Sequence, residues 1–340
     1  MAILAAGLYG ISSPAAKLLL GEIPQLLLAA LLYLGAGTGM LAINLFRRLR
    51  RRDRAEARLT RRELPYVIGM IVLDIAAPIF LMIALTLTTA ANASLLNNFE
   101  IVATALIALL VFKEAVGRRM WLAIGLITLA SLILSFEDIG SFSFSLGSLF
   151  VLLACVCWGL ENNCTRMLSA KDPLQIVVIK GFGSGFGALL IAALNWQLNA
   201  QISYILLALL LGFLAYGLSI YFYIHAQRTL GAARTSAYYA VAPFIGVLIS
   251  ILIFGQKPTL TFATAATIMV AGAFFAAGEY HRHPHKHDPV THEHRHSHDD
   301  GHHEHLHENG DDTEHSHVHT HEAVEHSHRH TPDTHHTHRH

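Results

Sequence analysis

The sequence predicts an all-α membrane protein with ten transmembrane helices in two inverted five-helix repeats, followed by a disordered histidine-rich tail. Three observations lead to this prediction: an apolar composition, a series of apolar runs, and an internal repeat whose loop charges are reversed. Apolar residues make up 53% of the 340 residues, and charged residues only 14%. This balance is unusual for a soluble domain and typical of a protein that crosses the membrane several times.

The first 280 residues divide into ten apolar runs, each close to the length of about 20 residues that a helix needs to cross a bilayer. The first run begins at Met1 without a basic segment or a cleavage site, so we interpret it as a membrane helix and not a signal peptide. Its short length leaves open a start codon further upstream. The predicted helices are 2–20, 23–46, 64–87, 90–112, 117–135, 145–168, 174–196, 202–226, 230–254 and 258–279.

The segment 84–114 returns in altered form 142 positions later, as 226–256. The small residues keep their spacing between the two copies, but the polar centre does not, because Glu100 corresponds to Ala242. The repeat therefore predicts two domains of similar shape and different chemistry. The predicted units are a first five-helix domain at 1–136, a second at 145–279, and the tail at 280–340.

The loop charges indicate that the two halves have opposite orientations in the membrane. Basic residues mark cytoplasmic loops. The loop 47–62 carries nine arginines and its counterpart 195–201 carries none, whereas the uncharged loop after the third helix corresponds to one that contains Arg228 and Arg234. We therefore expect a multi-pass protein of the cytoplasmic (inner) membrane with both termini in the cytoplasm. Inverted repeats are common in secondary transporters, whose substrate site lies near the bilayer midplane.

Two residue patterns carry a family resemblance. One is the A-x5-AAxxS segment that leads to Glu100 and closes with FKE, and the other is its second copy, which closes with FGQ. Together they resemble the EamA-type transporters of the drug/metabolite transporter superfamily, over residues 1–279. The resemblance implies a central cavity and secondary transport, frequently the export of metabolites or amino acids. Glu114 matches an acidic residue that the family often has after the fourth helix, whereas Gln256 departs from it.

Glu100 is the first candidate for a substrate or proton site. An ionisable group inside a membrane helix costs at least about 2.5–3.5 kcal/mol, so it is a functional candidate by default. Glu100 shares one helical face with Asn97 and Thr104, at spacings of three and four, and Asn98 lies beside them. A carboxylate in such surroundings can exchange a proton near neutral pH. The alternative is a structural glutamate held by hydrogen bonds.

Three further ionisable residues lie within apolar runs. Asp74 stands four residues before Pro78, which has no N–H for the Asp74 carbonyl, so this pair suits a cation or ammonium group or marks a simple proline kink. A polar stripe on the sixth predicted helix consists of Trp158, Glu161, Asn162 and Thr165. Lys180 lies at a similar depth on the seventh, which predicts an ion pair with Glu161.

Two tyrosines of the second half, Tyr216 and Tyr239, are candidates for a hydroxyl-bearing wall of the cavity. Aromatic side chains at such positions also serve as packing, and both interpretations remain open.

The tail holds 23 of the 24 histidines and carries a charge of −7 against +7 for the rest of the chain. Such a composition does not build a core, so we expect disorder. Neutral imidazoles bind zinc, nickel, cobalt and copper, and histidine at every second position offers overlapping sites. The candidate metal ligands are His281, His283, His285, His287, His292, His294, His296, His298, His302, His303, His305 and His307.

The leading hypothesis is a secondary transporter that exports a small polar metabolite or amino acid. The second is an exporter of nickel, cobalt or zinc whose tail captures or senses the metal, and the third is a membrane-anchored metal buffer without transport. The expected partners are the lipid bilayer, a small-molecule substrate and transition-metal ions, with no nucleic acid and no required cofactor. A homodimer is left open.

We do not expect an enzyme. The two HExxH matches in the tail, at 292–296 and 303–307, arise by chance where histidine occupies nearly every second position.

Overall fold

The computed structural model shows a bundle of apolar helices followed by short strands. Its helices begin where local chemistry favours a start. Thr60 caps the short 3₁₀ turn before the helix at Leu64, and the side chain of Asp172 accepts a hydrogen bond of 2.9 Å from the backbone N–H of Leu174. The residues that the structure describes are 1–49, 59–111, 118–138, 143–168, 171–230, 239–255, 258–277, 281–286, 290–296, 315–321 and 325–330.

Seven helices are described in the first half of the chain. They are α1 (Ala2–Gly10), α2 (Ser12–Leu19), α3 (Gln25–Leu49), α4 (Leu64–Leu87), α5 (Ala90–Leu96), α6 (Phe99–Leu110) and α7 (Arg118–Ser135).

The second half begins with a two-stranded antiparallel pair and contains one π-helical segment, between α10 and α11. Its elements are β1 (Phe136–Asp138), β2 (Ser143–Phe144), α8 (Leu146–Leu168), α9 (Pro173–Leu194), α10 (Ile202–Gly212), the π segment (Phe213–Leu218), α11 (Ser219–Leu230), α12 (Ala242–Phe254) and α13 (Leu260–Ala277).

The described residues include seven helical spans that are long and apolar enough to cross a membrane. The predicted spans 117–135, 230–254 and 258–279 overlap the three remaining helices α7, α12 and α13. The count of ten membrane helices and the opposite orientation of the two halves therefore stay predictions. The seven spans are Ala2–Leu19, Gln25–Arg47, Arg61–Leu87, Ala90–Leu110, Leu146–Leu168, Pro173–Leu194 and Ile202–Ala226.

Two of the predicted helices are interrupted near their middle. The first is broken at Ile11, between α1 and α2, and the fourth at Asn97 and Asn98, between α5 and α6. The first break has a cause in the sequence, because Pro14 has no N–H for the carbonyl of Gly10. At the second break the side chain of Asn98 bonds the backbone, donating to the carbonyl of Leu95 at 3.1 Å.

Glycines allow the helices of the two halves to lie against each other. A side chain on Gly181 of α9 would collide with the backbone of Gly37 on α3, and one on Gly183 would lie 2.6 Å from Ile71 on α4. One on Gly39 would meet the ring of Phe213. These glycines therefore let the helices approach their neighbours closely.

The described parts of the tail form four strands in two antiparallel pairs, and the disorder of the tail stays a prediction. The alternation of histidine with other residues has the period of two that suits an extended strand. The strands are β3 (His281–Lys286), β4 (Val290–His296), β5 (His315–His321) and β6 (Glu325–His330), with β3 paired to β6 and β4 to β5.

Candidate functional site

A buried ion cluster joins three helices at the centre of the bundle. The Nζ atom of Lys180 on α9 lies 3.0 Å from Oδ2 of Asp74 on α4 and 3.0 Å from Oε1 of Glu161 on α8. The exposed fractions of these side chains are 6%, 0% and 3%. The predicted ion pair between Glu161 and Lys180 is confirmed. Asp74 also belongs to it, so the cation beside this carboxylate is a lysine of the second half.

Neutral groups complete the hydrogen bonds of the two acids. The hydroxyl of Tyr33 donates to Oδ1 of Asp74 at 2.8 Å, and the hydroxyl of Thr165 donates to Oε1 of Glu161. Each carboxylate therefore has both an ammonium and a hydroxyl partner. This saturation offsets much of the cost of removing the ions from water, and losing a single member would leave a charge buried without its partner.

Glu100 is held by an amide rather than by an ion pair. Nδ2 of Asn162 on α8 lies 2.6 Å from Oε1 of Glu100 and 3.3 Å from Oγ1 of Thr104, both on α6. The neighbouring Asn163 donates to the backbone carbonyls of Thr104 and Gly159, at 3.2 and 2.8 Å. The predicted shared face of Glu100 and Thr104 thus meets the predicted polar stripe of α8.

Asn97 and Asn98 form the junction of α5 and α6, where the N–H of Glu100 donates to the carbonyl of Asn97 at 3.1 Å. A bond between residues three apart keeps their side chains on the same side of the helix, so the shared face of Asn97 and Glu100 stays a prediction. Both asparagines are buried, with exposed fractions of 5% and 1%. Asn97 lines a separate small cavity against Tyr9 and Pro243.

The tyrosines of the predicted wall belong to an aromatic cluster between the halves. The ring of Tyr216 lies 5.3 Å from that of Tyr33 and 6.0 Å from that of Tyr9, and Tyr239 lies 5.6 Å from Tyr9 and 4.8 Å from Tyr223. Offset and edge-to-face contacts of this kind stabilise packing. The structure therefore places Tyr216 and Tyr239 in a packed cluster beside the ions.

The charges of the site do not balance when all are ionised. Asp74, Glu100 and Glu161 contribute three carboxylates, and Lys180 contributes one ammonium group. An excess of negative charge in a low-dielectric interior is expensive unless a cation or a proton compensates it. The arrangement can therefore bind a positively charged group or take up protons.

Residue-by-residue reasoning missed two partners of the site, Tyr33 and Asn163. Tyr33 did carry a usable signal, because it lies inside an apolar run and a buried tyrosine hydroxyl needs a hydrogen-bond partner. Asn163 stands beside Asn162 in the sequence but donates to backbone carbonyls, which no side-chain pattern reveals.

No group of three or more histidine, cysteine, aspartate or glutamate side chains is placed to hold a metal ion within the described residues. Of the histidines predicted as ligands, those at 281, 283 and 285 lie on β3, and those at 292, 294 and 296 lie on β4. The predicted ligands outside the described residues are His287, His298, His302, His303, His305 and His307.

Ionisable side chains paired between apolar helices are typical of membrane transport proteins. Comparison with known families agrees with this class. A sequence profile of the EamA-like transporter family matches residues 1–136 and again residues 145–278. The chain therefore belongs to the EamA-like transporter family, and the resemblance noted from its sequence patterns is confirmed.

A protein of Methanothermobacter thermautotrophicus described as an uncharacterized transporter is 27% identical over 285 residues, which cover 78% of this chain and 82% of that protein. A solved structure described only as the crystal structure of a protein matches with a TM-score of 0.57 at 20% identity. The match covers 81% of this chain and 95% of the other, and it concerns the fold alone.

Proposed function

We propose that the protein is a secondary transporter that exports a small polar metabolite or amino acid across the cytoplasmic membrane. The observation that carries this proposal is the surplus of carboxylates over ammonium groups at the contact between the two halves. In a transporter, such a surplus provides binding energy for a cationic or protonated cargo.

Glu100 is the proposed contact for an ammonium group or a proton. Lys180 is already paired with Asp74 and Glu161, whereas the hydrogen bond to Glu100 comes from the neutral amide of Asn162. A substrate ammonium could replace that amide without breaking the ion cluster. The carboxylate of an amino acid could then be placed toward Lys180.

The proposed orientation has both termini in the cytoplasm, with the two EamA-type segments, 1–136 and 145–279, inverted relative to each other. The arginine-rich loop 47–62 supports it, because basic loops remain on the cytoplasmic side. The tail 280–340 would then extend into the cytoplasm.

Metal export is the second candidate. One observation favours metal binding by the tail: the strand register places histidine opposite histidine, as in His283 with His328 and His294 with His317. Imidazole nitrogens are common ligands of transition-metal ions. This supports zinc, nickel, cobalt or copper as ions that the tail captures. As cargo they have no comparable support among the described helices.

The decisive experiment measures uptake into inverted membrane vesicles, in which export appears as accumulation. Vesicles contain the wild type, Glu100→Gln, a chain that ends at Glu279, or Glu22→Gln as a matched control. Glu22 is an exposed acid outside the helices. A panel of labelled amino acids and polar metabolites is followed together with nickel and zinc.

Export of a metabolite or amino acid predicts accumulation by the wild type and by the Glu22→Gln and tail-deleted proteins, with a loss of more than tenfold in Glu100→Gln. Metal accumulation that survives tail deletion but not Glu100→Gln would instead establish metal export. If no panel member and no metal accumulates, the transport proposal is overturned, and metal retained only by chains with a tail supports the buffer.

A further inference from the structure

A small cavity lies apart from the ion cluster, where the two interrupted helices meet the start of α12. Residues of both helix breaks line it, together with Pro243 and Gly246 of α12. It has room for about one particle the size of a water molecule. Irregular backbone at membrane depth is tolerated where it lines a cavity, and in transporters such breaks often surround ion sites.

Two buried oxygen atoms in its walls lack partners among the described residues. They are Oγ of Ser94 and Oδ1 of Asn97. The two residues are 2% and 5% exposed. A buried polar atom without a hydrogen bond costs about 1–3 kcal/mol, so a cavity with two such atoms favours a ligand that contacts both.

A third oxygen points to the same space. The carbonyl of Gly10 has no helical N–H partner, because the residue four positions later is Pro14. A side-chain carbon on Gly246 would lie 2.8 Å from this carbonyl oxygen and 2.7 Å from Oγ of Ser94. The two oxygens therefore converge on the place that a side chain of Gly246 would fill.

The surroundings favour a positive ligand. The cavity lies at the C-terminal end of α1, which carries partial negative charge. The start of α12 on the opposite wall offers few donors, since Pro243 has no N–H and the N–H groups of Phe244 and Ile245 both donate to the carbonyl of Val241, at 3.1 Å each. The carboxylate excess of the ion cluster adds to the same polarity.

We propose that this cavity binds one sodium ion, with Oγ of Ser94, Oδ1 of Asn97 and the carbonyl oxygen of Gly10 as ligands. Neutral oxygens and room for a single small particle suit a hard monovalent cation, whereas calcium sites generally include carboxylates. The inference that this ion drives export rests on the proposed function. The binding of the ion to the cavity does not depend on that function.

The test uses the full-length protein, purified in detergent, and measures binding of radioactive ²²Na⁺ by scintillation proximity in choline chloride. Ser94→Ala removes one ligand, and Gly246→Ala fills the cavity with a methyl group. Ser184→Ala and Gly7→Ala are the matched controls. Ser184 is a buried serine that donates to the carbonyl of Ile71, and a side-chain carbon on Gly7 meets no atom within 4 Å. Thermal unfolding midpoints confirm that every variant is folded.

We expect saturable binding of one ion per chain that excess NaCl displaces at least tenfold more effectively than KCl. Ser94→Ala and Gly246→Ala should weaken it at least tenfold, while the two controls and Glu100→Gln keep it within threefold. Glu100→Gln is the variant that tests the transport proposal. If it retains sodium binding, the sodium site and the transport proposal can succeed or fail independently. Absence of saturable binding would mean that the cavity holds only water, and unchanged binding in Ser94→Ala and Gly246→Ala would place the ion elsewhere. Either result overturns the proposal.

Discussion

The two copies of the repeated segment begin a helix at nearly the same point but with different chemistry. In the first copy a turn at Asn97 and Asn98 precedes α6, and in the second a turn at 240–241 precedes α12. The first turn is followed by Glu100, whereas Ala242 and Pro243 stand at the corresponding place in the second. The turn and the helix start are thus common to both copies, while the acid belongs to one half alone.

The second half contributes to the site through two other helices, α8 and α9. Its α8 supplies Asn162 to Glu100, and its α9 supplies Lys180 to Asp74. The acids of the first half therefore obtain their partners across the contact between the halves. Both EamA-like segments thus contribute to one site, and they contribute different groups.

Replacing Lys180 by methionine should break this contact and should reduce the free energy of unfolding more than any other single change proposed below. The change leaves Asp74 and Glu161 as buried carboxylates without a counter-charge, which costs about 3–5 kcal/mol. The free energy of unfolding, measured by SDS titration in mixed micelles, should fall by this amount. Lys171→Met is the control, since Lys171 lies 3.6 Å from Glu63 near the helix ends and its loss should cost about 1 kcal/mol or less.

Combining Lys180→Met with Asp74→Asn and Glu161→Gln should recover part of the lost stability, because the two former partners of Lys180 then carry no charge. If the triple variant is less stable than Lys180→Met alone, the destabilisation does not come from unpaired charge.

The close approach of the halves can be tested by Gly181→Ala. The added methyl group would collide with the backbone of Gly37, so α9 must move away from α3, and overpacking of this kind costs about 1–3 kcal/mol. Gly125→Ala introduces the same methyl group where no atom lies within 4 Å, and it should leave the SDS unfolding midpoint nearly unchanged. Equal effects of the two substitutions would show that helix propensity, not packing, governs them.

Asn162→Ala should have the smallest effect on stability, about 1 kcal/mol, since interhelical hydrogen bonds in membranes are individually weak. A double-mutant cycle with Glu100→Ala, which removes the acceptor, measures the coupling, which we expect to exceed about 0.5 kcal/mol. Asn195→Ala provides a control, because that side chain is exposed and donates to Ile191 of its own helix. Strict additivity of Asn162→Ala and Glu100→Ala would contradict the contact.

Several parts of the site were accessible from the sequence. Asp74, Glu100, Glu161 and Lys180 stand out because charges are rare in apolar runs, and the equal depth of Glu161 and Lys180 in adjacent helices predicts their ion pair. The inclusion of Asp74 in that pair was not predictable, since it depends on how closely α4 packs against α9. Asn97 shows a similar case, because periodicity places it on the face of Glu100 but does not reveal the small cavity that it lines.

The sequence by itself determined the apolar spans, the repeat and the family, because hydropathy and the spacing of small residues can be read directly along the chain. It also marked the acids that the membrane makes costly. Only the tertiary structure decided which groups pair with these acids. The partners lie on helices distant in sequence from the acids, and they are Tyr33, Asn162 and Lys180. Their close contacts depend on helix packing at glycines, which no pattern along a single helix specifies.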